Sequence, residues 1–333
     1  MSIRIISASY PVTLQDAGRP GFRAYGVPLS GPMDPVSFRL ANLLCGNAPG
    51  EAALEITLHG LIMLFEEDSL IALCGGGSLP MIDGDPVGSF RPLFVRQGTL
   101  MRFSYSSTGC RMYMAMAGGF RSGKIMGSAA TYVPAGIGGL EGRNVRKGDL
   151  LMRKDSPGLL SKRIADSINH SSQPVHQGSW GSNPFSHQRD DTCLLRFLPG
   201  PEWELFSNSS RHLFQTETFQ LSDRADRMGY QLRGPVLKCL SSTEMLSTAV
   251  SLGSVQVTHA GVPIILMADG QTTGGYPRIV QIITADMALC GQLRPGSDLR
   301  FIRVSEREAL DLYRLQMQHL ASVGRAIRIR HGL

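Results

Sequence analysis

The sequence is poor in charged and aromatic residues, which make up 18% and 7% of its 333 positions. It contains no uninterrupted apolar run of about 18 residues, the length that predicts a membrane-spanning helix. Its first residues, MSIRIISASYPVTLQD, lack the apolar core of a secretory signal. We therefore expect a soluble, cytoplasmic protein with no membrane partner.

Cysteine pairs with metal-site or redox spacing are also lacking. Five of the six cysteines stand beside apolar residues, which favours buried thiols in a reducing compartment. The eight histidines form no metal set, and His170, His176 and His187 fall in one polar stretch. We expect no metal site.

Basic residues exceed acidic ones, with a net charge of +6, and three arginines stand in the last ten positions. No aromatic residues alternate with these basic ones, and no recognition motif is present, so we expect no nucleic-acid binding. Residues 324–333, GRAIRIRHGL, are predicted to form a solvated, frayed tail.

Glycine is abundant, with 38 residues, and short β-branched or aromatic runs recur between Gly, Pro and Asp. This pattern predicts a mainly β fold of barrels or sandwiches with a few short helices. One helix is predicted over 35–45, with Asp34 as its N-cap. A second is predicted over about 306–322, where Ser305 and Glu308 match a capping box.

A polar stretch at 155–192 divides the chain into two halves. We predict domains over 1–154 and 193–323, joined by this linker or surface excursion. Three short segments match between the halves at a spacing of roughly 200 residues, which favours a duplicated domain. The matched pairs are 19–22 with 227–230, 55–60 with 255–261, and 98–103 with 296–301.

Two glycine clusters invite a ligand-binding interpretation. GGFRSGKI at 118–125 fits a phosphate-binding loop until Ile125, which stands where that loop needs Ser or Thr for magnesium. No long helix fits between it and Pro134, so we interpret it as a glycine turn. The three glycines of CGGGS at 74–78 either let the backbone approach a ligand closely or form a tight turn, and we favour the turn.

The segment DGQTTGGYPR at 269–278 lies between two apolar runs and is rich in polar groups. The amides of Gly274 and Gly275 can point at an anion. Arg278 can bind a carboxylate or phosphate through two hydrogen bonds. Gly-Gly-Tyr-Pro is also a good turn sequence, so a ligand site and an ordered hairpin loop both remain open.

Further candidates lie in two other segments and at one histidine pair. Residues 222–235 carry three arginines and two aspartates, which either pair locally or bind a ligand. Residues 13–34 contain Gln15, Asp16 and Arg19 within a Gly- and Pro-rich stretch. His59 and His259 occupy similar positions in the two halves, and His259 is either a satisfied barrel-end residue or a general base.

Several of these segments together resemble the family of 5-oxoprolinase C subunits, also called allophanate hydrolase subunit 2 or the biotin-dependent carboxyltransferase family. The resemblance runs in order from about residue 3 to residue 320. It rests on TLQDAGRPGFRAYGVPLSGPMDPVSFRLANLLCGN, ALEITLHG, AMAGGF, GIGGLEGR, LPGPE, SDRADRMGYQLRGP and MADGQTTGGYPRI.

The resemblance implies two cyclophilin-like β-barrel domains. It also implies a role in a heteromeric complex with the B subunit of 5-oxoprolinase, together with a separate A subunit. The activity that it implies is ATP-dependent hydrolysis of 5-oxo-L-proline to L-glutamate, with ATP and magnesium. A second alternative is a biotin-dependent carboxyltransferase subunit that acts on urea or a similar small amide. A third is a non-catalytic regulator that binds a kinase-inhibitor partner.

Residue roles are expected from the same resemblance. Asp269 is expected to act as a base or as the acceptor of the lactam N–H, and Arg227 and Arg278 to bind the anionic groups of the reaction. The remaining expected substrate-binding residues are Gln271, Thr272, Thr273, Gly274, Gly275, Tyr276, His259, Gln15, Asp16 and Arg19.

Overall fold

A computed structural model describes residues 2–169, 173–184, 192–240 and 245–333. The chain divides into two compact units. Unit 1 comprises Met1–Arg19, Asp34–His187 and Gln318–Leu333, and unit 2 comprises Pro20–Met33 and Gln188–Met317. Strands dominate both units, which confirms the predicted mainly β fold. No helix in the described ranges is both long enough and apolar enough to cross a membrane.

Unit 1 contains two six-stranded sheets that enclose one hydrophobic core. The first sheet has the order β11-β1-β4-β9-β6-β7. Its strands are β1 (Ser2–Ser7), β4 (Ile62–Phe65), β6 (Ser78–Ile82), β7 (Asp85–Pro86), β9 (Leu100–Tyr105) and β11 (Leu150–Met152). The second sheet has the order β12-β8-β5-β10-β3-β2. Its strands are β2 (Val12–Gln15), β3 (Ala53–Thr57), β5 (Ser69–Gly75), β8 (Pro92–Val95), β10 (Arg111–Met116) and β12 (Val175–Gln177).

Helix α1 (Pro35–Leu44) covers the second sheet of unit 1 by packing on β5 and β10. Because β10 is covered on both faces, all six of its residues are buried and no polar alternation appears. The Asp34 side chain accepts hydrogen bonds from the N–H groups of Val36 and Ser37, which confirms the predicted N-cap.

Unit 2 is built on a closed seven-stranded barrel of order β13-β20-β17-β18-β15-β14-β21. Its neighbours are antiparallel except β13 and β21, which run parallel. The core includes Phe214 and Phe301, whose ring centroids lie 4.3 Å apart. The barrel strands are β13 (Thr192–Pro199), β14 (Phe219–Ala225), β15 (Gly229–Arg233), β17 (Ser254–Val257), β18 (Pro263–Leu266), β20 (Arg278–Ile282) and β21 (Asp298–Arg303). A separate ladder joins β16 (Thr248–Ala249) to β19 (Thr273–Gly274).

The remaining helices are mostly short. They are α2 (Leu159–Ile168), α3 (Asn208–Thr216), α4 (Met287–Gln292) and α5 (Glu306–Arg330), with 3-10 turns at Arg23–Tyr25, Val133–Ala135, Trp203–Leu205 and Thr284–Asp286. Helix α5 continues through Arg330, so the predicted frayed tail over 324–333 is wrong. Ile327 is buried, and Arg163 donates to the carbonyl of His331 at 2.6 Å, so this end is anchored rather than solvated.

Two of the three matched pairs have similar local structure, while the duplication that they suggested stays a prediction. Gly98 and Gly296 both have left-handed backbones, with φ of 83° and 88°, and each precedes a strand, β9 or β21. The segments 55–60 and 255–261 likewise run from β3 and β17 into a turn. The match of 19–22 with 227–230 is wrong, because Gly21 is a left-handed loop residue whereas Gly229 begins β15.

The predicted linker over 155–192 contains regular structure in its described part. Helix α2 lies within it, and β12 pairs with β8 so that Val175 stands opposite Val95. Residues 170–172 and 185–191, with His170 and His187, lie outside the described residues. The domain boundaries inferred from the sequence remain a prediction.

Helix α5 begins with the capping box that the sequence predicts. The Ser305 N–H donates to Glu308 Oε2 at 2.7 Å, and the Glu308 N–H donates to Ser305 Oγ at 3.2 Å. We expect Ser305→Ala to lower the free energy of unfolding by about 1 kcal/mol, because it leaves an N-terminal N–H without its acceptor. Urea denaturation measures this change.

Ser322→Ala provides the matched control for that experiment. Ser322 is an exposed residue inside the same helix, where alanine has the better helix propensity. Its replacement should leave the urea midpoint unchanged or slightly raised. Equal destabilisation by both substitutions would contradict a capping role for Ser305.

Candidate functional site

Asp269 lies in unit 2 after strand β18, and its side chain is only 3% exposed. It accepts two hydrogen bonds from Arg227, from Nε to Oδ2 at 2.8 Å and from Nη2 to Oδ1 at 3.2 Å. Its own N–H donates to the Arg227 carbonyl at 2.8 Å. The structure therefore brings together two residues predicted from different motifs, as a bidentate ion pair.

Arg227 also organises the Gly- and Pro-rich segment of unit 2. Its Nη2 donates to the carbonyl of Gly31 at 2.7 Å, and the Ser30 N–H donates to the Ala268 carbonyl at 3.1 Å. The segment 20–33 is thus attached to the strand end that carries Asp269. The arginines of 222–235 were expected either to pair with local carboxylates or to bind a ligand. Arg227 pairs with a carboxylate, but this carboxylate, Asp269, lies outside the segment.

Arg278 forms a second bidentate pair, with Glu202. Its Nε donates to Oε2 at 2.8 Å and its Nη2 to Oε1 at 2.6 Å, while Nη1 donates to the Ala249 carbonyl at 2.7 Å. Burial raises the pKa of Glu202, but the hydrogen bonds from the Arg278 side chain and N–H outweigh it and hold that pKa below its usual value. Arg278 thereby ties strand β16 to strand β20.

Glu202 is a functional candidate that reasoning from residue types missed. It belongs to LPGPE, one of the motifs that carry the family resemblance, so a signal was present. A single glutamate just before a 3-10 turn carries no chemical pattern of its own. Its importance becomes visible only when Arg278, distant in sequence, is placed against it.

Gln256 supports the segment 269–278 from within the barrel wall and was also missed. This buried residue of β17 donates from Nε2 to the Tyr276 carbonyl at 3.1 Å. Its Oε1 accepts from Gln271 Nε2 at 3.1 Å. A Cβ atom on Gly274 would lie 2.6 Å from Gln256 Nε2, so glycine leaves room for this amide.

The backbone of Gly274 and Gly275 does not form the anion-binding turn that the sequence suggested. Neither glycine has a left-handed φ, and Thr273–Gly274 form β19, which pairs with β16. The Thr272 carbonyl accepts from the Val250 N–H at 3.0 Å. In this conformation the segment is an ordered hairpin connection, which is bonded to Gln256, to strand β16 and to Glu202.

A cavity of about 380 Å³ lies at the Gly275 end of this segment. It brings His259 close to the segment, because the His259 and Tyr276 rings meet edge to face with centroids 5.4 Å apart. Its lining includes Lys238, Cys239, Thr258, His259, Gly275 and Pro277.

Gln15, Asp16 and Arg19 belong to unit 1 and are buried there. Asp16 accepts hydrogen bonds from Ser128 Oγ at 2.5 Å and from the Ala129 N–H at 2.6 Å. Gln15 and Arg19 donate to backbone carbonyls of the same 128–131 segment. In unit 1 these three residues connect β2 to this neighbouring segment.

The glycine clusters at 74–78 and 118–125 both lie in turns, which confirms the interpretation favoured from the sequence. Between β10 and β11 the only helical element is the 3-10 turn at Val133–Ala135, so no helix follows Lys124 to bind phosphate. A Cβ on Gly118 would lie 2.2 Å from the Asp155 carbonyl oxygen. A Cβ on Gly77 would lie 2.4 Å from the Cys110 backbone, so these glycines allow close packing of the chain on itself.

The thiols and carboxylates of the described residues offer no metal centre, since no three metal-binding side chains come together there. All six cysteines are free. Burial raises the pKa of the Cys45, Cys74 and Cys290 thiols, and raises that of Cys193 to about 12. These four thiols are therefore protonated and unreactive at neutral pH.

Comparison with known proteins identifies the family. The model of the carboxyltransferase domain, subdomain A and B, matches residues 25–303. This chain belongs to that carboxyltransferase family. The match includes Glu202, Arg227, Gln256, Asp269 and Arg278, and the resemblance stated from the sequence is confirmed.

Relatives in the carboxyltransferase family include components of 5-oxoprolinase. The chain is 40% identical over 308 residues to the 5-oxoprolinase C subunit of Escherichia coli, covering 92% of this chain and 93% of that protein. It is 34% identical over 325 residues to the 5-oxoprolinase C subunit of Haemophilus influenzae, covering 98% of each. Among solved structures, K. lactis urea amidolyase superposes with a TM-score of 0.85 at 27% identity, covering 97% of this chain and 20% of that one.

Proposed function

We propose that this chain is the C subunit of an ATP-dependent 5-oxoprolinase, which hydrolyses 5-oxo-L-proline to L-glutamate as ATP is cleaved. The observation that carries the proposal is the identity of 40% with a protein of that name over nearly the whole of both chains. The urea amidolyase match covers only a fifth of that longer protein. In the proposed complex the partners are the B and A subunits.

The proposed reaction has to activate a cyclic amide. Transfer of the γ-phosphoryl group of ATP to the lactam oxygen makes the ring carbon electrophilic, and a water then adds to that carbon. The C–N bond breaks, its nitrogen takes a proton, and hydrolysis by a second water releases glutamate and phosphate. The protein's part is to position the lactam and to stabilise the developing negative charge.

Asp269 is the proposed acceptor for the lactam N–H. A carboxylate offers about four lone-pair sites, and Arg227 occupies two of those on Asp269. The ion pair therefore orients the carboxylate and leaves acceptor capacity for a substrate amide. Arg278, tied to Glu202 and to Ala249, is better placed to fix the shape of the segment 269–278 than to bind the substrate anion alone.

ATP is the co-substrate of the proposed reaction and magnesium the counter-ion of its phosphates, and the described part of this chain shows neither a phosphate-binding loop nor a metal-binding cluster. The 118–125 segment lacks the helix of a phosphate-binding loop, and the described residues contain no cluster of three metal-binding side chains. We assign no residue of the chain to the triphosphate or to magnesium.

The test is reconstitution. The chain is co-expressed with the A and B subunits from the same organism, and glutamate release from 5-oxoproline is measured with and without ATP. We expect ATP-dependent release by the complete set and none when this chain is omitted. Undiminished release without this chain would contradict the proposal.

Biotin-dependent carboxyl transfer to a small amide is the second candidate, favoured by the TM-score of 0.85 with a urea amidolyase and by the family description. Biotin would arrive on a partner protein. The proposed acceptor role of Asp269 toward an amide N–H applies to urea as it does to a lactam. Urea-dependent decarboxylation of carboxybiotin by the chain, with no glutamate release by the complex, would favour this alternative.

The proposed location is the cytoplasm. The six free cysteines, four of them buried, fit a reducing compartment, where ATP and the partner proteins would also be present. Fractionation with an antibody against the chain tests this location.

A further inference from the structure

The cavity at the Gly275 end of the segment 269–278 carries an inference about substrate chemistry. Its polar lining comes from Lys238, from Thr258 and His259 in the turn after β17, and from Gly275. Residues 236–239 and 258–261 supply most of the lining. Of these residues, only His259 was expected from the sequence to bind substrate. The volume of about 380 Å³ is within the range of small-molecule sites.

Lys238 is the lysine in the lining of this cavity, and its partners can be judged only against the described residues. No ion pair joins it to a described acidic residue, whereas the two arginines of the neighbouring motifs are each bound to a carboxylate. None of the residues that the structure places in the lining is Asp or Glu. Among the described residues, therefore, the cation next to the segment 269–278 that forms no ion pair is Lys238 and not Arg227 or Arg278.

Three residues of the cavity lining have side chains that can donate hydrogen bonds. The Lys238 ammonium has only donors, and the His259 ring packs edge to face on Tyr276 and forms no hydrogen bond with a described residue. Thr258 Oγ1 accepts from the Val262 N–H at 3.2 Å, which leaves its own hydroxyl proton to donate. A ligand that accepts several hydrogen bonds and carries negative charge complements this arrangement.

The backbone that presents Lys238 is firmly placed. Its N–H donates to Ser210 Oγ at 2.7 Å, and its carbonyl accepts from the Ser207 N–H at 3.1 Å, at the start of α3. The Leu237 N–H donates to the Gly261 carbonyl at 3.0 Å, which joins the lysine's segment to the turn that carries His259. Backbone hydrogen bonds thus fix the positions from which the Lys238 and His259 side chains extend.

We infer that this cavity binds the carboxylate of a small amide substrate, with Lys238 as the counter-ion and His259 and Thr258 as further donors. The inference rests on the proposed function, in which the substrate is a lactam that carries one carboxylate. The substrate carboxylate is then bound by Lys238 and not by Arg227 or Arg278, which are paired with Asp269 and Glu202. A phosphate of ATP has similar acceptor chemistry, so the test separates the two anions.

The experiment uses the complete complex with the substitution Lys238→Gln in this chain. We expect kcat/KM for 5-oxoproline to fall about 10- to 100-fold through KM, the loss typical of a hydrogen bond to a charged group. The KM for ATP should stay unchanged. The analogue whose carboxylate is replaced by a carboxamide should react equally with wild type and variant, because neither can use the charge.

Lys147→Gln is the matched control, since Lys147 is an exposed lysine of unit 1 outside the cavity lining. A KM for 5-oxoproline that is equal in Lys238→Gln and Lys147→Gln complexes would overturn the inference. A rise in the KM for ATP instead would also overturn it, in favour of a phosphate. A wild-type complex that releases no glutamate would overturn the proposed function, and the inference with it.

His259→Ala gives an independent check that keeps the lysine. We expect a smaller rise in the KM for 5-oxoproline and again no change for ATP. Because the side chain is exposed, the urea midpoint of the chain should not move, so a change in KM reports binding. An unchanged KM in both His259→Ala and Lys238→Gln would exclude the cavity as the carboxylate site.

Discussion

Replacing Asp269 by asparagine is expected to lower the free energy of unfolding by about 3 to 5 kcal/mol and to abolish glutamate release by the complex. The stability loss follows from the buried pair, because removing one partner leaves the Arg227 guanidinium without its counter-charge in a largely buried position. The activity loss follows from the proposed role of the Asp269 carboxylate as acceptor of the lactam N–H.

A double substitution separates these two effects. Asp269→Leu combined with Arg227→Met removes both charges and keeps apolar volume, so it should be more stable than either single charge deletion. Activity should remain absent. Recovery of activity in the double variant would show that Asp269 has only a structural role, and urea denaturation with the glutamate assay reports both quantities.

Asp223→Asn is the control in the neighbouring strand. Asp223 pairs with Arg233, but both side chains are more than half exposed. Exposed pairs contribute little because solvent screens them, so neither stability nor activity should change measurably. A stability loss as large as that of Asp269→Asn would contradict the importance that we give to burial.

Glu202→Gln is expected to lower the free energy of unfolding by about 3 kcal/mol at neutral pH and to reduce turnover by loosening the segment 269–278. The Glu202 and Arg278 side chains are 11% and 17% exposed, so screening is limited. Arg278 would keep an acceptor only in the amide oxygen, so it would lose one of its two side-chain bonds and its counter-charge, which weakens the hold on its bond to the Ala249 carbonyl.

The effect depends on pH with a definite sign. Because the folded-state pKa of Glu202 is lowered, its stabilisation is fully present above the unfolded value of about 4.3 and is lost as pH falls through the folded value. The difference in stability between wild type and Glu202→Gln should therefore shrink below about pH 4. A difference that stays constant down to about pH 3 would contradict the assignment.

The strand pattern and the helix caps could be predicted from the sequence because they depend on neighbouring residues. Asp34 and Ser305 each meet their partner within three positions. The glycines of the turns at Gly98 and Gly296 likewise predict where the following strands begin. Local rules therefore located much of the secondary structure.

The partners of the charged residues could not be predicted in the same way. Glu202 and Arg278, or Arg227 and Asp269, meet only after the barrel has formed, and residue type does not say which carboxylate a given arginine will find. The length of α5 was missed for a related reason, because Ile327 is buried by tertiary packing and the local sequence looks like a polar tail. The assignment of the segment 269–278 to a substrate site rests on motif membership and stays a prediction.

The parallel pairing of β13 with β21 has a consequence for how the protein is made. Strand β13 is bonded in the barrel only to β20 and β21, with Thr192 opposite Asp298 and Phe197 opposite Ile282, so both partners leave the ribosome late. At usual synthesis rates, β13 waits about 5 to 20 seconds as an unpaired strand. During co-translational folding this strand is exposed to wrong pairing, and a chaperone that covers it would raise the yield.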